Sequence, residues 1–434
     1  MGKKKDFEKR LERVINLYDN LDELINTLPL EMPEGAKDTV KKMIFSNEEI
    51  NEVITGLKER RPPRILLIGR TGVGKSSLIN ALFGKYIAKT SPVKIGTNQL
   101  SRYDYKTNGE VVFEVIDTRG IGESTTHNTT TAEEDLKGAV EDFDPDAILF
   151  LSDATQRARM DEDVNYIKGV YNYIGMEIPL VTVLTHVDNV EPSRIKEPDQ
   201  YNRSKLRNIE SKKQDMENLL SELNVNNSIV IPVSAYIEWD REDPHLLSTE
   251  EQEQLMIEFD GRYNIEELID FLQNNMDFRA AIHLLMNTRL EIAVKKISSV
   301  MINAFGLASA TVALTPIPFS DIAILVPLQL ILVIFIGYLS GANVDKETAK
   351  EFLISMGGVG AAGYGLRVLA QQGSKALNLV APGAGSAVSS SVAYAGTFAI
   401  GKAAQAYYID QVNEEDLPEI LEKANEKGKA EAPK

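Results

Sequence analysis

The sequence feature that most constrains the fold is the run Gly-Arg-Thr-Gly-Val-Gly-Lys-Ser at 69–76. It follows a short apolar run at 65–68 and opens a stretch of helical pattern at 76–83. Glycines let backbone N–H groups turn inward around phosphate oxygens, and the start of the helix adds partial positive charge. This spacing between a strand and a helix predicts a P-loop. The predicted phosphate-binding residues are Gly69, Thr71, Gly72, Val73, Gly74, Lys75, Ser76 and Ser77.

Short apolar runs recur along the middle of the chain, and helical stretches lie between most of them. The runs lie at 65–68, 111–116, 147–151, 180–184 and 229–233. Uninterrupted apolar runs of this length fit strands that are buried on both faces of a parallel sheet. Their alternation with helices predicts the α/β class, with a doubly wound sheet.

The length of 434 residues exceeds one ordinary domain. A charged helical zone ends at Pro62-Pro63, because a proline pair ends a helix. A zone poor in charge follows the α/β part, and the chain end is acidic. We predict an N-terminal helical segment, a P-loop domain, an all-α hydrophobic domain and an acidic tail. Their ranges are 1–60, 61–276, 277–408 and 409–434.

A second phosphate-side motif, Asp-Thr-Arg-Gly at 117–120, follows the apolar run 111–116. Ligands of α/β sheets bind at the carboxyl ends of the strands, where this motif is expected. We predict that Lys75 reaches the β- and γ-phosphates and that the Ser76 hydroxyl binds Mg²⁺. Asp117 would hold Mg²⁺ through water, and the Gly120 N–H would contact the γ-phosphate.

Two further motifs predict a guanine base. Thr185-His186-Val-Asp188 ends the run 180–184, and Ser234-Ala235 follows the run 229–233. A carboxylate accepts from the guanine N1–H and amino group, whereas adenine presents an unprotonated N1 at the same place. The backbone N–H groups of Ser234 and Ala235 could bind the guanine carbonyl oxygen. The predicted ligand is GTP or GDP.

Residues 60–276 resemble the Era/TrmE-type branch of bacterial GTPases, most specifically in Gly-Lys-Ser-Ser-Leu-Ile-Asn-Ala-Leu-Phe-Gly at 74–84. The resemblance implies GTP hydrolysis with Mg²⁺. It also implies a threonine after the first helix that closes over Mg²⁺ and the γ-phosphate. Thr97 is the best match, and Thr90 is the alternative. The predicted catalytic residues are then Lys75, Thr97 and Gly120.

Two features of the site depart from common GTPase patterns. His186 replaces the usual lysine of the guanine motif. Ile121 stands where Ras-like proteins carry a glutamine that orients water, an apolar substitution that Era-like families share. Some relatives hold a potassium ion with an asparagine, where this chain has Gly72. We therefore expect slow hydrolysis without a homodimer or an activating protein. Three charged residues are candidates for assisting hydrolysis: Arg70, Arg119 and Glu123. For each of them, an ordinary surface charge is the alternative.

Residues 297–315 and 322–341 carry no charged side chain. As helices, each would span roughly 30 Å, the thickness of a bilayer core. A turn at 316–321 and basic flanks predict a helical hairpin inserted from the cytoplasmic face. The stretch 316–329 resembles an uncharacterised C-terminal domain that is attached to bacterial Era-like GTPases, and the match extends over about 280–405. YcjF-type membrane proteins carry a related domain. The alternative is a buried helical pair in a soluble, cytosolic bundle.

The net charge of −17 argues against nonspecific nucleic-acid binding, and the lack of cysteine excludes disulfides and zinc–thiolate sites. The predicted function is a membrane-associated GTPase switch with slow turnover. Two alternatives stay open: a nucleotide-binding scaffold with negligible turnover, and a soluble GTPase of the ribosome-assembly type.

Overall fold

The computed structural model describes residues 2–28, 30, 35–89, 93–95, 100–107, 109–117, 140–156, 162–165, 167–168, 178–225, 228–314, 322–357 and 384–432. The chain forms two compact units. The α/β unit is Arg60–Arg289, and the helical unit combines Met1–Glu59 with Leu290–Lys434. The helical unit therefore joins two stretches that are separate zones in the sequence.

The described strands belong to the α/β unit. They are β1 Arg64–Ile68, β2 Ala88–Lys89, β3 Val93–Ile95, β4 Leu100–Thr107, β5 Glu110–Asp117, β6 Ala147–Asp153, β7 Leu180–Thr185, β8 Ser228–Pro232, β9 Ser234–Trp239 and β10 Ile257–Tyr263. Five of them lie where the apolar runs predict strands.

The helices fall into both units. Those of the helical unit are α1 Gly2–Asp19, α2 Leu21–Asn26, α3 Ala36–Phe45, α4 Glu48–Lys58, α10 Leu290–Leu314, α11 Ile322–Ser340, α12 Lys346–Gly357, α13 Ala384–Tyr408 and α14 Leu417–Glu431. Those of the α/β unit are α5 Lys75–Phe83, α6 Arg203–Glu222, α7 Thr249–Gln252, α8 Ile265–Asn275 and α9 Phe278–Thr288.

The main sheet has eight strands in the order β2-β4-β5-β1-β6-β7-β8, and β3 pairs with β4. Strands β5, β1, β6, β7 and β8 run parallel to one another, and β4 runs antiparallel to β5. The register sets Leu67 opposite Asp117 and Asp153 opposite Thr185. The predicted doubly wound α/β fold is confirmed, and its loop residues gather at one edge of the sheet.

A two-stranded hairpin follows β8 directly. Strands β9 and β10 pair antiparallel, with Ser234 opposite Tyr263. Ser234 is the first residue of this hairpin and is fully buried. The hairpin therefore fixes the backbone at the position where the sequence places the Ser-Ala motif.

A buried ion pair anchors the entry of the chain into the α/β unit. Arg61 donates two hydrogen bonds to Asp146, at 2.7 and 2.8 Å, and the Arg64 N–H donates a third at 2.8 Å. The Asp146 side chain is 3% exposed. The hydrogen bond with Asp146 raises the pKa of Arg61.

We expect Asp146→Ala to destabilise the α/β unit by about 3 kcal/mol, because it leaves a largely buried guanidinium without its partner. The single tryptophan of the chain, Trp239, reports on this unit, so urea unfolding followed by its fluorescence measures the loss. Asp142→Ala, at an exposed position, serves as the matched control and should change stability by less than about 0.5 kcal/mol. Equal stabilities of the two variants would contradict this role of the ion pair.

Helix α11 forms the centre of the helical unit. It packs against α1, α3, α10, α12 and α13, and every residue from 324 to 337 is buried. Its predominantly apolar sequence suits a helix that is enclosed on all sides. The second predicted hydrophobic helix is thus present as a core helix, whereas the predicted turn at 316–321 lies outside the described residues.

A chain of buried polar groups crosses the core of the helical unit. Gln329 of α11 donates to Thr397 of α13 at 3.3 Å, and Thr397 donates to Ser309 of α10 at 2.8 Å. All three side chains are nearly inaccessible to water. Hydrogen bonds in such surroundings define which faces of the three helices meet, because a shifted register would leave these groups unsatisfied.

Candidate nucleotide-binding site

The loop between β1 and α5 has the backbone geometry of a phosphate cradle. Gly72 and Gly74 have φ angles of 82° and 92°, in the left-handed region that favours glycine. Helix α5 begins directly afterwards, at Lys75. The first N–H groups of an α-helix point away from its body, which makes a helix start of this kind a common anion-binding position.

The Lys75 ammonium lies at the mouth of this loop. It donates to the Arg70 carbonyl at 3.1 Å and to the Gly69 carbonyl, and its Nζ is 3.4 Å from Asp117 Oδ1. The residue is only 9% exposed. The P-loop therefore holds a cation beside the end of β5, where a phosphate would enter.

The predicted magnesium ligands fit the chemistry of the ion. The buried carboxylate of Asp117 ends β5, and the exposed Ser76 lies in the first turn of α5. Carboxylate and hydroxyl oxygens are the hard donors that Mg²⁺ prefers, with phosphate and water completing its shell. Within the described ranges no cluster of three or more His, Asp or Glu side chains could hold a metal without phosphate. Thr97, Thr90, Arg119, Gly120, Ile121 and Glu123 lie outside the described residues.

The guanine-side carboxylate is buried and held from several directions. Asp188 is 4% exposed, and its Oδ1 lies 3.4 Å from the Ser234 hydroxyl. The Lys196 ammonium lies 2.8 Å from Oδ2 and also contacts Asn189. These contacts hold the Asp188 carboxylate in a defined position. A base that binds the carboxylate shares it with the Lys196 ammonium or displaces that ammonium.

Lys205 fixes the loop that carries Asp188. This fully buried lysine donates to the carbonyls of Asp188 at 2.7 Å, Val190 at 2.9 Å and Pro192 at 3.3 Å. Burial lowers the pKa of Lys205. Sequence reasoning missed this residue, because a lysine early in a polar helix looks like a solvated one.

The phosphate and base motifs line one cavity of about 290 Å³. Gly74 and Ser77 contribute from the P-loop and α5, and Thr185, His186 and Asp188 contribute from the end of β7. Ala235 of the hairpin completes the set of predicted residues in its wall. The remaining lining residues are Asn80, Asn189, Lys196, Tyr236, Ile237 and Trp239. The structure therefore brings Gly74 and Ser77 of the phosphate side to one cleft with the base-side residues of β7 and the hairpin. Thr71, Gly72 and Val73 line a separate cavity of about 150 Å³.

Arg70 is engaged elsewhere. Its guanidinium binds Asp163 at 2.5 Å and Glu162 at 2.7 Å. The hydrogen bond with Asp163 raises the pKa of Arg70. In this arrangement Arg70 braces the P-loop against the segment after β6, as a structural charge rather than as a group directed at a phosphate.

Comparison with known proteins finds matches to the first part of the α/β unit. Residues 64–186 match the profile of the family described as 50S ribosome-binding GTPase. The tRNA modification GTPase MnmE of Mycoplasma genitalium is 26% identical over 174 residues, which cover 38% of each chain. GTPase Era of Lactobacillus delbrueckii subsp. bulgaricus is 31% identical over 132 residues, covering 30% of this chain and 41% of the relative.

This chain therefore spans less than half of the length of these two relatives. Among solved structures, the LeoA bacterial dynamin GTPase from ETEC aligns over 98% of this chain and 95% of its own. Its sequence identity is 13% and its TM-score is 0.37. The sheet order, the P-loop and the family profile together show that residues 64–186 form part of a P-loop GTPase domain related to bacterial GTPases such as Era and MnmE.

Proposed function

We propose that this chain binds guanine nucleotides, hydrolyses GTP slowly and acts as a switch. The observation that carries the proposal is the shared cavity, which has the P-loop on one side and the buried Asp188 carboxylate on the other. A carboxylate without a proton accepts the two donors of guanine and repels the N1 lone pair of adenine. The family profile and the GTPase relatives support the same ligand.

Trp239 offers a direct test of binding because it lines the cavity. A GTP analogue with a methylanthraniloyl group on the ribose should receive energy from Trp239 when it binds. We expect unlabelled GTP and GDP to displace the analogue at concentrations at least 100-fold lower than ATP, since each mismatched buried polar group costs about 1–3 kcal/mol. Equal competition by ATP would contradict guanine selectivity.

The proposed reaction is in-line attack of water on the γ-phosphate. Lys75 and a Mg²⁺ ion held by Ser76, and through water by Asp117, would offset the phosphate charge. The apolar Ile121 cannot orient water, so we propose that a homodimer or an activating protein completes the site. Thr97 and Gly120 remain the proposed contacts to the γ-phosphate.

A multiple-turnover assay of phosphate release separates the slow GTPase from a scaffold with negligible turnover. We expect turnover well below the median enzyme value of about 10 s⁻¹, and a rate that rises with protein concentration if a homodimer assists. Varying the potassium concentration tests whether the ion raises the rate of phosphate release in a chain that has Gly72 in its P-loop. Release no faster than that from a Lys75→Met variant would favour the scaffold.

For location, we propose association with the cytoplasmic face of a membrane through the helical unit. Support comes from the stretch Leu290–Val312, which is long and apolar enough to cross a bilayer, and from the resemblance of 280–405 to YcjF-type domains. The enclosure of α11 within the helical unit favours the alternative, a soluble bundle in the cytosol. Alkaline carbonate extraction decides between the two, because an integral protein stays in the pellet.

A role in ribosome assembly is the second candidate function, and the description of the matched family favours it. The net charge of −17 opposes direct RNA binding. Sedimentation with ribosomal subunits in the presence of GTP, but not in its absence, would support this candidate over the membrane switch.

A further inference from the structure

His186 is placed to reach a bound nucleotide from the base side of the cavity. Its backbone is left-handed, with φ 57° and ψ 31°, and it precedes the short helical turn Val187–Asn189. Its ring lines the cavity and faces the P-loop: a β-carbon built on Gly74 would lie 3.6 Å from His186 Nε2. A left-handed backbone is uncommon for a residue other than glycine. His186 adopts it at the position where its ring faces the P-loop.

The other ring nitrogen of His186 faces a fixed carboxylate. His186 Nδ1 lies 3.4 Å from Oδ2 of Asp153, the last residue of β6. Asp153 also accepts from the Thr155 N–H at 2.8 Å, the Thr155 hydroxyl at 2.6 Å and the Gln156 amide at 2.9 Å. These three bonds fix the carboxylate, which together with the Thr185 hydroxyl, 3.3 Å from Nδ1, orients the ring and leaves Nε2 on the P-loop side.

We propose that Asp153 and His186 form a dyad that adds a cation to the nucleotide site. Asp153 holds His186 as an imidazolium, and the Nε2–H of that imidazolium donates a hydrogen bond to the bound guanine nucleotide. The inference rests on the proposed nucleotide binding and adds to it two roles. Asp153 is a positioning residue, and His186 is a binding residue whose charge depends on pH. Nothing in the sequence motif marks Asp153, which lies 33 positions before His186.

The electrostatics around the dyad agree with this arrangement. The hydrogen bond with Asp153 outweighs burial and raises the pKa of His186 above its ordinary value of 6.5. Of the other charged groups that act on the ring, Asp188 favours protonation and Lys196 opposes it. Burial alone would raise the pKa of Asp153, but hydrogen bonds from His186 and Thr155 lower it, so the carboxylate stays ionised.

The sign of the pH effect follows from the raised pKa. The imidazolium is fully present below the ordinary value and is lost as the pH rises through the raised value. Nucleotide affinity contributed by His186 should therefore fall on the alkaline side. Because a hydrogen bond to a charged group contributes more than a neutral one, we expect a loss of about tenfold.

The test is equilibrium binding of methylanthraniloyl-GDP to the full chain with Mg²⁺ between pH 6 and 9, for wild type and three variants. His186→Lys supplies a permanent cation, so its affinity should not show the alkaline loss. His186→Gln should bind about tenfold more weakly than wild type near pH 6 and match it near pH 9. Asp153→Asn should shift the fall in affinity to lower pH. The nucleotide's own phosphate titrates identically in all four experiments, so differences between proteins report on the dyad.

Two results would overturn the dyad while leaving the proposed function intact. One is a wild-type pH profile parallel to that of His186→Gln, with measurable binding throughout. The other is an Asp153→Asn profile that coincides with wild type, provided that thermal unfolding shows both proteins folded. Absence of binding by wild type at every pH would instead overturn the proposed function itself, and the dyad with it.

Discussion

Asp188→Asn is expected to lower the affinity for GTP at least 100-fold and to create affinity for xanthosine triphosphate. Asparagine offers one acceptor and one donor where the carboxylate offers two acceptors. Guanine then meets a donor opposite its amino group, whereas xanthine presents a carbonyl oxygen there and keeps its N1–H. This one mispaired contact leaves two buried donors without acceptors, the guanine amino group and the new side-chain amide, and at about 1–3 kcal/mol each they correspond to a loss of this size.

Competition against a fluorescent GTP analogue, with GTP, xanthosine triphosphate and ATP as competitors, measures this change of preference. Asn189→Ala is the neighbouring control, because Asn189 lines the cavity and contacts Lys196 but is not a predicted base acceptor. It should keep the preference for GTP. An Asp188→Asn protein that still prefers GTP would show that the base is selected by other groups in the cavity.

The parts of this site that the sequence predicts are those set by local backbone requirements. A P-loop needs glycine where φ is positive and a helix that starts at the lysine, and both conditions are visible as a short contiguous motif. Asp117, Asp188 and Ser234 follow buried strands, and the parallel sheet brings strand ends to one edge. Fold class and site location therefore follow from motifs and strand periodicity.

The parts that the sequence does not reveal depend on contacts between distant segments. Asp153 ends a strand like many other residues, and only the pairing of β6 with β7 sets it opposite Thr185, next to His186. The sequence pattern predicts that Lys205 is a surface lysine, whereas in the structure it donates to three backbone carbonyls of the Asp188 loop. Motif spacing carries no information on such partners.

The grouping of the helices also lies beyond local patterns. The sequence pattern predicts the N-terminal helices as a separate amphipathic segment. Their apolar stripe must pack against another surface, and the pattern does not indicate which surface that is. In the structure α1 and α3 cover α11, and α4 covers α10, so the two ends of the chain share one core. A helix such as α11 has the same composition in a membrane and in the centre of a bundle, and only its neighbours distinguish the two.

Lys75→Met is expected to weaken binding of GTP by roughly 100- to 1,000-fold, which is the largest effect on the phosphate side. The ammonium already lies between the Arg70 carbonyl and Asp117 at the mouth of the cradle. Each charge-assisted hydrogen bond that it makes to a phosphate oxygen contributes about 1.5–3 kcal/mol, and methionine can make none. Energy transfer from Trp239 to the labelled nucleotide measures the loss.

The preference among bases distinguishes a loss of phosphate contacts from general damage to the site. Lys75→Met removes no predicted interaction with the base, so the ratio of GTP to ATP affinity should remain that of wild type, although both affinities fall. Lys213→Met, a partly exposed lysine on α6, is the matched control and should bind as wild type does. If Lys75→Met also abolished the preference for guanine, the P-loop and the Asp188 loop could not be acting on separate parts of one nucleotide. Their common cavity would then need another explanation.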